Sequence, residues 1–382
     1  LLWIPLTDGT LICLTYERDQ KVVGWSRHII GGKSDAGTTQ AKVESVAVIP
    51  NTNGTADELY MIVQRYIDGA TRRYIEYLKP HWEETNDQED AFFVDSGLSL
   101  DVSLTITNIT QADPAVVTSS SHGVSDGDDI RISGVSGMTE VNKVSYVAGE
   151  VTTNTFELFS NTKVSATISG ATRANPVVIT AASHGLSNSD QIGIFDVTGM
   201  VELNGNGYTV ANVTANTFEL SGINGTGYTA YTSGGDIRHA ISSSAFTAYV
   251  SGGVARERAT SVSGLDHLEG ESVLVLAEGA THATKTVSSG AVALDRPSSK
   301  VHIGLSYTSD FELLRLDVGA QDGTSQGKFV RFHRVIFRFL QMLGGFIGPD
   351  TDNLDEIVLR EGGDPMDTPV PLFTGDYEIE WD

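Results

Sequence analysis

The feature of this chain that most constrains its fold is an internal repeat. Residues 107–158 and residues 174–220 contain similar short sequence motifs in the same order, and both segments end with "NTFEL". Corresponding residues lie 62 positions apart without a gap: Pro114 and Pro176, His122 and His184, Gly137 and Gly199, Asn142 and Asn204, and Phe156 and Phe218. Ungapped self-similarity of this kind indicates two adjacent copies of one small structural module.

Each copy has the pattern of a small antiparallel β-module. Its opening stretch is rich in valine and follows Pro114 or Pro176, where the missing backbone N–H is not needed by a strand ladder. A turn then contains Gly123 or Gly185 among serine, aspartate and asparagine residues, as turns with positive φ require. The last part of each copy alternates apolar and polar residues, which indicates a hairpin.

The rest of the chain also has strand patterns. Short runs rich in valine, isoleucine and tyrosine occupy residues 42–50, 58–67 and 71–78. The turn between the last two contains Asp68-Gly69, a dipeptide typical of β-hairpins, so the three runs should form a meander. Further strands are predicted at residues 6–28 (two strands, with turns at Asp8-Gly9 and Arg18–Gln20), 271–280, 291–296, 300–307 and 311–319.

One stretch is long enough for a helix. Residues 328–343 nevertheless alternate β-branched and aromatic residues, which favours a long strand. We therefore predict an all-β chain of propeller-like antiparallel meanders with an inserted tandem pair of small β-modules. The predicted domains are residues 1–106 as a propeller or platform segment, 107–168 and 169–240 as the two modules, and 241–382 as the return to the larger domain.

Composition excludes several classes of protein. Cys13 is the single cysteine, so intrachain disulfides and cysteine-based zinc clusters are excluded. The 25 basic and 49 acidic residues give a net charge of −24, whereas proteins that read nucleic acid carry basic surfaces. No apolar run approaches the roughly 18 residues of a membrane span, so we expect no stable membrane insertion. Leu1 enters an apolar run without an initiating methionine, and we expect the chain to be part of a longer protein.

The repeated histidines are the clearest candidates for catalysis. His122 and His184 each lie in Ser-His-Gly, and a serine with a histidine can supply a nucleophile and its base. Adjacent residues of a turn project in different directions, however, so we expect these histidines to bond their own backbone. No phosphate-binding glycine loop and no Gly-x-Ser-x-Gly motif occurs. The sequence therefore predicts no catalytic residue, no cofactor and no metal ligand.

Two acidic stretches and four aromatic residues have alternative interpretations. Asp126–Asp129 and Asp350–Glu356 offer carboxylates to calcium, but neither has the glycine and terminal glutamate of an EF-hand loop, so solvated turns are favoured. Trp3, Trp25, Tyr74 and Trp82 fall in or near strands, where they either pack against the core or form a platform for carbohydrate.

Residues 1–101 resemble a known family. The segments "GWSRHIIGG", "VESVAVIPN", "DELYMIVQRYIDGATRRYIEYLKP" and "AFFVDSGLSLD" resemble sequences of the tail nozzle proteins of short-tailed bacteriophages, also called tail tubular protein B. Residues 258–382 continue this resemblance with "VSGLDHLEGESVLVLAEGATH" and "PLFTGDYEIEWD". The repeats between them resemble the small FCCH module of ubiquitin-activating enzymes, of which we transfer only the shape.

The resemblance implies a structural protein of the virion, made in the host cytoplasm. Such a protein forms a homo-oligomeric ring, commonly a hexamer, around a DNA channel at the distal tail, where it retains and releases the genome. It implies contacts with adaptor and portal-proximal proteins and with tail fibres. Double-stranded DNA passes through without specific binding, and no enzymatic activity is implied.

The closing segment is the candidate channel segment. Residues 341–382 hold eleven acidic residues and one basic residue, Arg360. Either these carboxylates line the channel and repel phosphate, or they keep a large surface soluble. The candidate residues are Asp350, Asp352, Asp355, Glu356, Glu361, Asp364 and Asp367.

Two other classes of function fit an all-β chain with repeats. A host-surface-binding tail adhesin or spike component would present exposed aromatic residues to saccharide. A glycan-cleaving enzyme would hold two carboxylates roughly 5–10 Å apart in a cleft.

Overall fold

The computed structural model describes residues 1–83, 85–313, 333–360, 362–364 and 369–380. These residues form antiparallel strands and four short 3₁₀ turns, without an α-helix, so the all-β prediction is confirmed. The chain divides into two compact units. The first unit is Leu1–Ser99, Val262–Ala293 and Val301–Asp382, and the second is Leu100–Ser261 and Leu294–Lys300.

The first unit begins with seven strands. They are β1 (Leu2–Pro5), β2 (Leu11–Glu17), β3 (Val22–His28), β4 (Lys42–Pro50), β5 (Asp57–Ile67), β6 (Ala70–Tyr77) and β7 (Asp95–Leu100). The predicted meander is confirmed as the sheet β4–β5–β6, with positive φ at both Asp68 and Gly69 in its second turn. The predicted pair of strands in residues 6–28 is joined by a third, β1, which completes the sheet β1–β2–β3.

A buried arginine ties the second meander to neighbouring chain. Arg65 on β5 is fully buried, and its guanidinium donates to both carboxylate oxygens of Glu76, at 2.7 and 2.8 Å. It also donates to the carbonyl oxygen of Gly31, while the Gly31 N–H donates to Asp95 at 2.6 Å. A Cβ at Gly31 would overlap the carbonyl oxygen of Ser306, so only glycine fits this close approach.

The second unit contains thirteen strands in one hydrogen-bonded sheet system. They are β8 (Leu104–Thr105), β9 (Asn108–Ile109), β10 (Val116–Thr118), β11 (Asp129–Ser136), β12 (Val144–Gly149), β13 (Thr155–Lys163), β14 (Ile168–Ala171), β15 (Val178–Ala181), β16 (Gln191–Thr198), β17 (Asn206–Ala211), β18 (Thr217–Leu220), β19 (Ser233–Ala240) and β20 (Ser251–Glu257). Their order is β14-β15-β18-β17-β16-β19-β13-β12-β11-β20-β8, with β10 beside β13 and β9 beside β10.

The two repeats are nested. The second repeat is closed by the strand that follows it, since β19 pairs with β16 and places Ile237 opposite Ile194. The first repeat is closed only afterwards, because β20 pairs with β11 and places Ala255 opposite Ile132. We call residues 104–158 with 241–258 the outer module and residues 166–240 the inner module. Each has its own buried core.

The closing segments are a repeat of their own. "TAYTSGG" at residues 229–235 returns as "TAYVSGG" at residues 247–253. In both modules the tyrosine of this phrase bonds two backbone carbonyls, Tyr231 those of Ile168 and Gly234, and Tyr249 those of Ile106 and Gly252. The domain boundary expected at residue 240 therefore differs from the structure. Residues 241–258 complete the outer module instead of beginning the return to the larger domain.

An aromatic pair joins the inner module to the outer one. Phe159 and Phe195 are buried, and their ring centroids lie 5.5 Å apart in an edge-to-face contact. A Cβ at Gly193 would lie 2.8 Å from the Phe159 ring, so this glycine leaves room for the ring. The sheet also continues across the junction, because β13 pairs with β19.

The remaining strands follow the modules. They are β21 (Ala259–Ser263), β22 (Ser272–Ala277), β23 (Ala280–Thr281), β24 (Lys285–Thr286), β25 (Ala291–Ser298), β26 (Val301–Leu305), β27 (Arg334–Met342), β28 (Gly345–Asp350), β29 (Asn353–Ile357) and β30 (Phe373–Glu380). The strand predicted in residues 328–343 is confirmed as β27, and residues 328–332 lie outside the described part. Of the strand predicted at 311–319, the described residues 311–313 are not in a strand.

Candidate functional site

The acidic candidates lie mainly on one two-stranded ribbon. Strands β28 and β29, which we call the acidic ribbon (residues 345–357), carry exposed Asp350, Asp352, Asp355 and Glu356. Asp364 is partly exposed beyond the ribbon. Glu361 and Asp367 lie outside the described residues.

The tip of the acidic ribbon is organised by one of these carboxylates. Asp350 accepts hydrogen bonds from the backbone N–H of Asp352 at 3.0 Å and from the side-chain amide of Asn353 at 2.8 Å. Such Asx bonds fix a tight turn. The other carboxylates are carried on the flanking strand and turn, where they form a local field of negative charge.

The ribbon is also apolar on one face. Phe346 lies opposite Glu356, and Leu354 lies two residues before Glu356, so all three side chains share one face. Phe346 is 68 % exposed and Leu354 is 48 % exposed. An exposed face that combines large apolar side chains with carboxylates is typical of a contact surface.

The repeated histidines have the backbone role expected of them. In each module the Nδ1 atom of the histidine accepts a hydrogen bond from the backbone N–H two residues later, at 3.0 Å for both His122 and His184. Each ring also packs edge-on against the phenylalanine of "NTFEL", with centroids 5.2 Å from Phe156 and 5.1 Å from Phe218. These histidines therefore stabilise the turns of the modules.

The Asp126–Asp129 stretch is likewise part of a turn. Asp126 accepts from the backbone N–H of Val151 at 3.0 Å, and Asp128 accepts from that of Ser125 at 2.7 Å. Asp129 forms an ion pair with Arg258 at 3.1 Å. Among the residues that the structure describes, no group of three or more histidine, cysteine, aspartate or glutamate side chains is arranged to hold a metal ion.

Two carboxylates meet at the junction of the modules. The Glu150 carboxylate accepts from the backbone N–H of Gly207 at 2.8 Å, and the Glu150 N–H donates to Gly205 at 2.7 Å. Glu157 lies beside it, and burial together with the charge of Glu150 raises the pKa of Glu157 to about 7. The sequence alone did not indicate this pair, since the two residues meet only through the fold.

Three of the four aromatic candidates take part in packing. The Trp3 ring lies 4.9 Å from that of His28, and the Tyr74 ring lies 6.2 Å from that of His267. The Trp82 indole N–H donates a hydrogen bond to the backbone carbonyl oxygen of Asp87 at 3.0 Å. Trp25 differs, because its side chain is 59 % exposed. It is therefore a surface residue.

Trp25 lies on an open apolar face. In the sheet β1–β2–β3, Trp25 is opposite Leu14, which is opposite Leu2, while Tyr16 is opposite Val23. Because side chains two apart share a face, Trp25, Val23 and Arg27 lie on the same side of β3. We call this surface the Trp25 face: Leu2, Leu14, Tyr16, Val23, Trp25 and Arg27. Leu2, Tyr16, Val23 and Trp25 are each more than half exposed.

Two serine–histidine contacts in the first unit were not predicted. The Ser26 hydroxyl lies 3.0 Å from Nε2 of His28, which borders a cavity of about 180 Å³, and burial lowers the pKa of His28. Ser99 lies 2.7 Å from Nδ1 of the buried His302, whose Nε2 is 2.9 Å from the Glu89 carbonyl oxygen. Ser26 and His28 are two residues apart on β3 and therefore share one face of the sheet, whereas Ser99 and His302 are distant in the sequence. The contact between Ser99 and His302 joins β7 to β26.

Part of the chain matches a known protein family. Residues 174–258 match the family described as the ubiquitin-activating enzyme E1 FCCH domain. This stretch covers most of the inner module and the closing strand of the outer one. No curated protein matches the chain. The described residues include no helix with the length and apolar character needed to cross a membrane.

Proposed function

We propose that the chain is a structural, non-catalytic component of a short-tailed bacteriophage tail. It forms a homo-oligomeric ring, commonly a hexamer, around the DNA channel at the distal tail, where it retains the genome and releases it at infection. Adaptor or portal-proximal proteins and tail fibres are its expected neighbours.

The observation that carries this proposal is the division of the chain into units. The segments that resemble tail nozzle proteins, residues 1–101 and 258–382, nearly coincide with the first unit. The repeats fall in the second unit, which interrupts the first in sequence. A nozzle body with an inserted pair of modules therefore accounts for both parts.

The negative net charge of the chain is consistent with the lining of a channel through which DNA moves without binding. A surface of fixed carboxylates repels phosphate, so DNA passes without adhering. Within this proposal, Asp350, Asp352 and Asp355 of the acidic ribbon face the channel, whereas Glu356 lies on the other, apolar face of the ribbon. The modules are expected on an outer edge of the ring, where they can contact neighbouring proteins and do not obstruct the DNA.

The test is to locate the chain in the particle. A cryo-EM reconstruction of virions whose copies carry a small tag inserted at the exposed turn around Asn53 should place the tag in a ring near the tail tip. Density for the chain in the capsid, or as a single copy on the side of the tail, would contradict the proposal. Reversal of Asp352 and Asp355 to lysine should add DNA binding that weakens steeply with salt; reversal of Asp57 and Asp68 to lysine, which changes the net charge by the same amount, is the control.

A second candidate function is favoured by the Trp25 face. Exposed tryptophan and tyrosine side chains on a flat sheet can stack against sugar rings, as a host-surface-binding adhesin or spike component requires. Binding of the full chain to host polysaccharide, lost in Trp25→Ala and retained in Phe93→Ala, would favour this function.

A further inference from the structure

We propose that the Trp25 face is a docking surface for the acidic ribbon of a second copy of this chain. This inference rests on the proposed ring and names the two surfaces that join neighbouring copies. The contact is heterologous, since it pairs two different surfaces of the same chain, and heterologous contacts are the kind that generate rings.

The first observation is the exposure of apolar side chains on both surfaces. On the Trp25 face, Tyr16 is 61 %, Val23 64 % and Trp25 59 % exposed. On the acidic ribbon, Phe346 is 68 % and Leu354 48 % exposed. Contiguous exposed patches of this type mark surfaces that associate with another molecule, and tryptophan and tyrosine are the residue types that most often dominate binding energy.

The second observation is that the two surfaces have opposite charge. On the Trp25 face, Arg27 is the one charged side chain contributed by β1, β2 and β3, because Glu17 of β2 lies on the opposite face of the sheet. Residues 345–357 hold four carboxylates and no basic residue. Arg27 lies on the Trp25 face itself, and Glu356 lies on the apolar face of the ribbon. Each surface therefore combines apolar side chains with one sign of charge.

The overall charge explains why a second copy needs such a pair of surfaces. Two copies of a chain with net charge −24 repel each other, so their contact must bring a local positive region to a negative one. The Trp25 face offers Arg27 to a carboxylate of the second copy and carries no acidic residue of its own three strands. Charge complementarity of this kind selects the partner and fixes its register, while the apolar centre supplies the affinity.

The experiment is site-specific photo-cross-linking in the full chain. The photoreactive residue p-benzoylphenylalanine replaces Trp25, and an equal mixture of ¹⁴N- and ¹⁵N-labelled protein identifies cross-links between copies. The control position is Phe93, which belongs to the same unit and is 54 % exposed. Mass photometry of the same samples reports the oligomeric state.

We expect Trp25 to cross-link to residues 345–357 of another copy and Phe93 not to do so. Arg27→Glu should weaken assembly about tenfold, Glu356→Arg should do the same, and Arg72→Glu should leave assembly unchanged. If copies assemble but Trp25 cross-links to another segment, or to no copy, the inference is wrong while the proposed ring stands. If the chain stays monomeric at every concentration tested, the ring is wrong as well. Cross-linking of Trp25 to added polysaccharide alone would favour the adhesin.

Discussion

Unfolding the inner module should destabilise the outer module more than the reverse. The inner module is one continuous segment, whereas the outer module consists of two segments joined through the inner one. The perturbation is a matched pair of variants, Phe218→Asp in the inner module and Phe156→Asp in the outer module. Both phenylalanines are fully buried at equivalent positions, each against the histidine of its own module.

Each substitution is large enough to unfold its own module. Losing a buried phenylalanine costs about 3–5 kcal/mol, and burying an unpaired carboxylate adds several more. A module of this size has a free energy of unfolding of roughly 4–11 kcal/mol. The variants therefore leave one module unfolded within an otherwise folded chain.

The difference between the two variants comes from loop closure. While the inner module is folded, the chain leaves the outer module at Phe159 and returns beside it, since Phe159 is opposite Ala240. When the inner module unfolds, roughly 80 residues become a flexible loop in place of a few, which costs the outer module about 3 kcal/mol. The contact of Phe159 with Phe195 is lost in both variants, so it contributes equally to each.

The assay is hydrogen exchange of the full chain in increasing urea, read by mass spectrometry. Peptides from 178–211 report the inner module, and peptides from 116–149 report the outer one. We expect the outer module in Phe218→Asp to lose about 3 kcal/mol more than the inner module in Phe156→Asp loses. Equal losses in the two variants would refute the nested arrangement as the source of coupling.

Three further predictions concern the modules and the meander β4–β5–β6. Replacing residues 159–240 by Ser-Gly should leave the outer module folded, because Ser221-Gly222 makes the same connection between Leu220 and Ile223 in the inner module; a loss of its far-ultraviolet β signal and cooperative melting would contradict this. Glu157 holds its proton more tightly in the folded state, with a pKa raised from 4.5 to about 7, so the outer module should lose stability as the pH rises through this range. Allowing for its half-exposed position, the loss should be about 1–2 kcal/mol in pH-dependent urea titrations, and Glu157→Gln should abolish it while Glu219→Gln does not. Glu76→Gln should cost the first unit about 3–5 kcal/mol in chemical denaturation, because it leaves the buried Arg65 without its ionic partner; Glu44→Gln, at the exposed pair with Arg73, should change little, and equal effects would contradict the role of burial.

The parts predicted correctly from sequence are those with a local signal. The alternation in β5 and the Asp68-Gly69 turn determine a meander from contiguous residues, and the 62-residue spacing identifies two equivalent modules. The nesting of the modules was not predicted. Strand β19 completes the second repeat, and the later strand β20 completes the first repeat, so the repeats are completed in the reverse of the order in which they begin. The inference of module boundaries from the 62-residue spacing assumes that each module is complete in sequence before the next one begins.

The exposed Trp25 shows a second limit of the sequence. Alternation in β2 and β3 assigns residues to two faces of the sheet, but it does not say which face is covered. Leu11 and Cys13 are buried, whereas Tyr16 and Trp25 on the other face are not, and both faces are apolar enough to be core. Which of the two faces is covered depends on segments that are distant in the sequence, and the residues of β2 and β3 do not indicate them.

The nested modules also determine the order in which the newly made protein can fold. Within this chain, the ribosome enters the outer module before the inner one and completes the two modules in the opposite order. The inner module has all its strands once Ala240 has left the ribosome, before the last strand of the outer module has been made. During translation, the inner module is therefore the first of the two that can become stable, and it then holds Ala240 opposite Phe159, from where the last strand of the outer module follows.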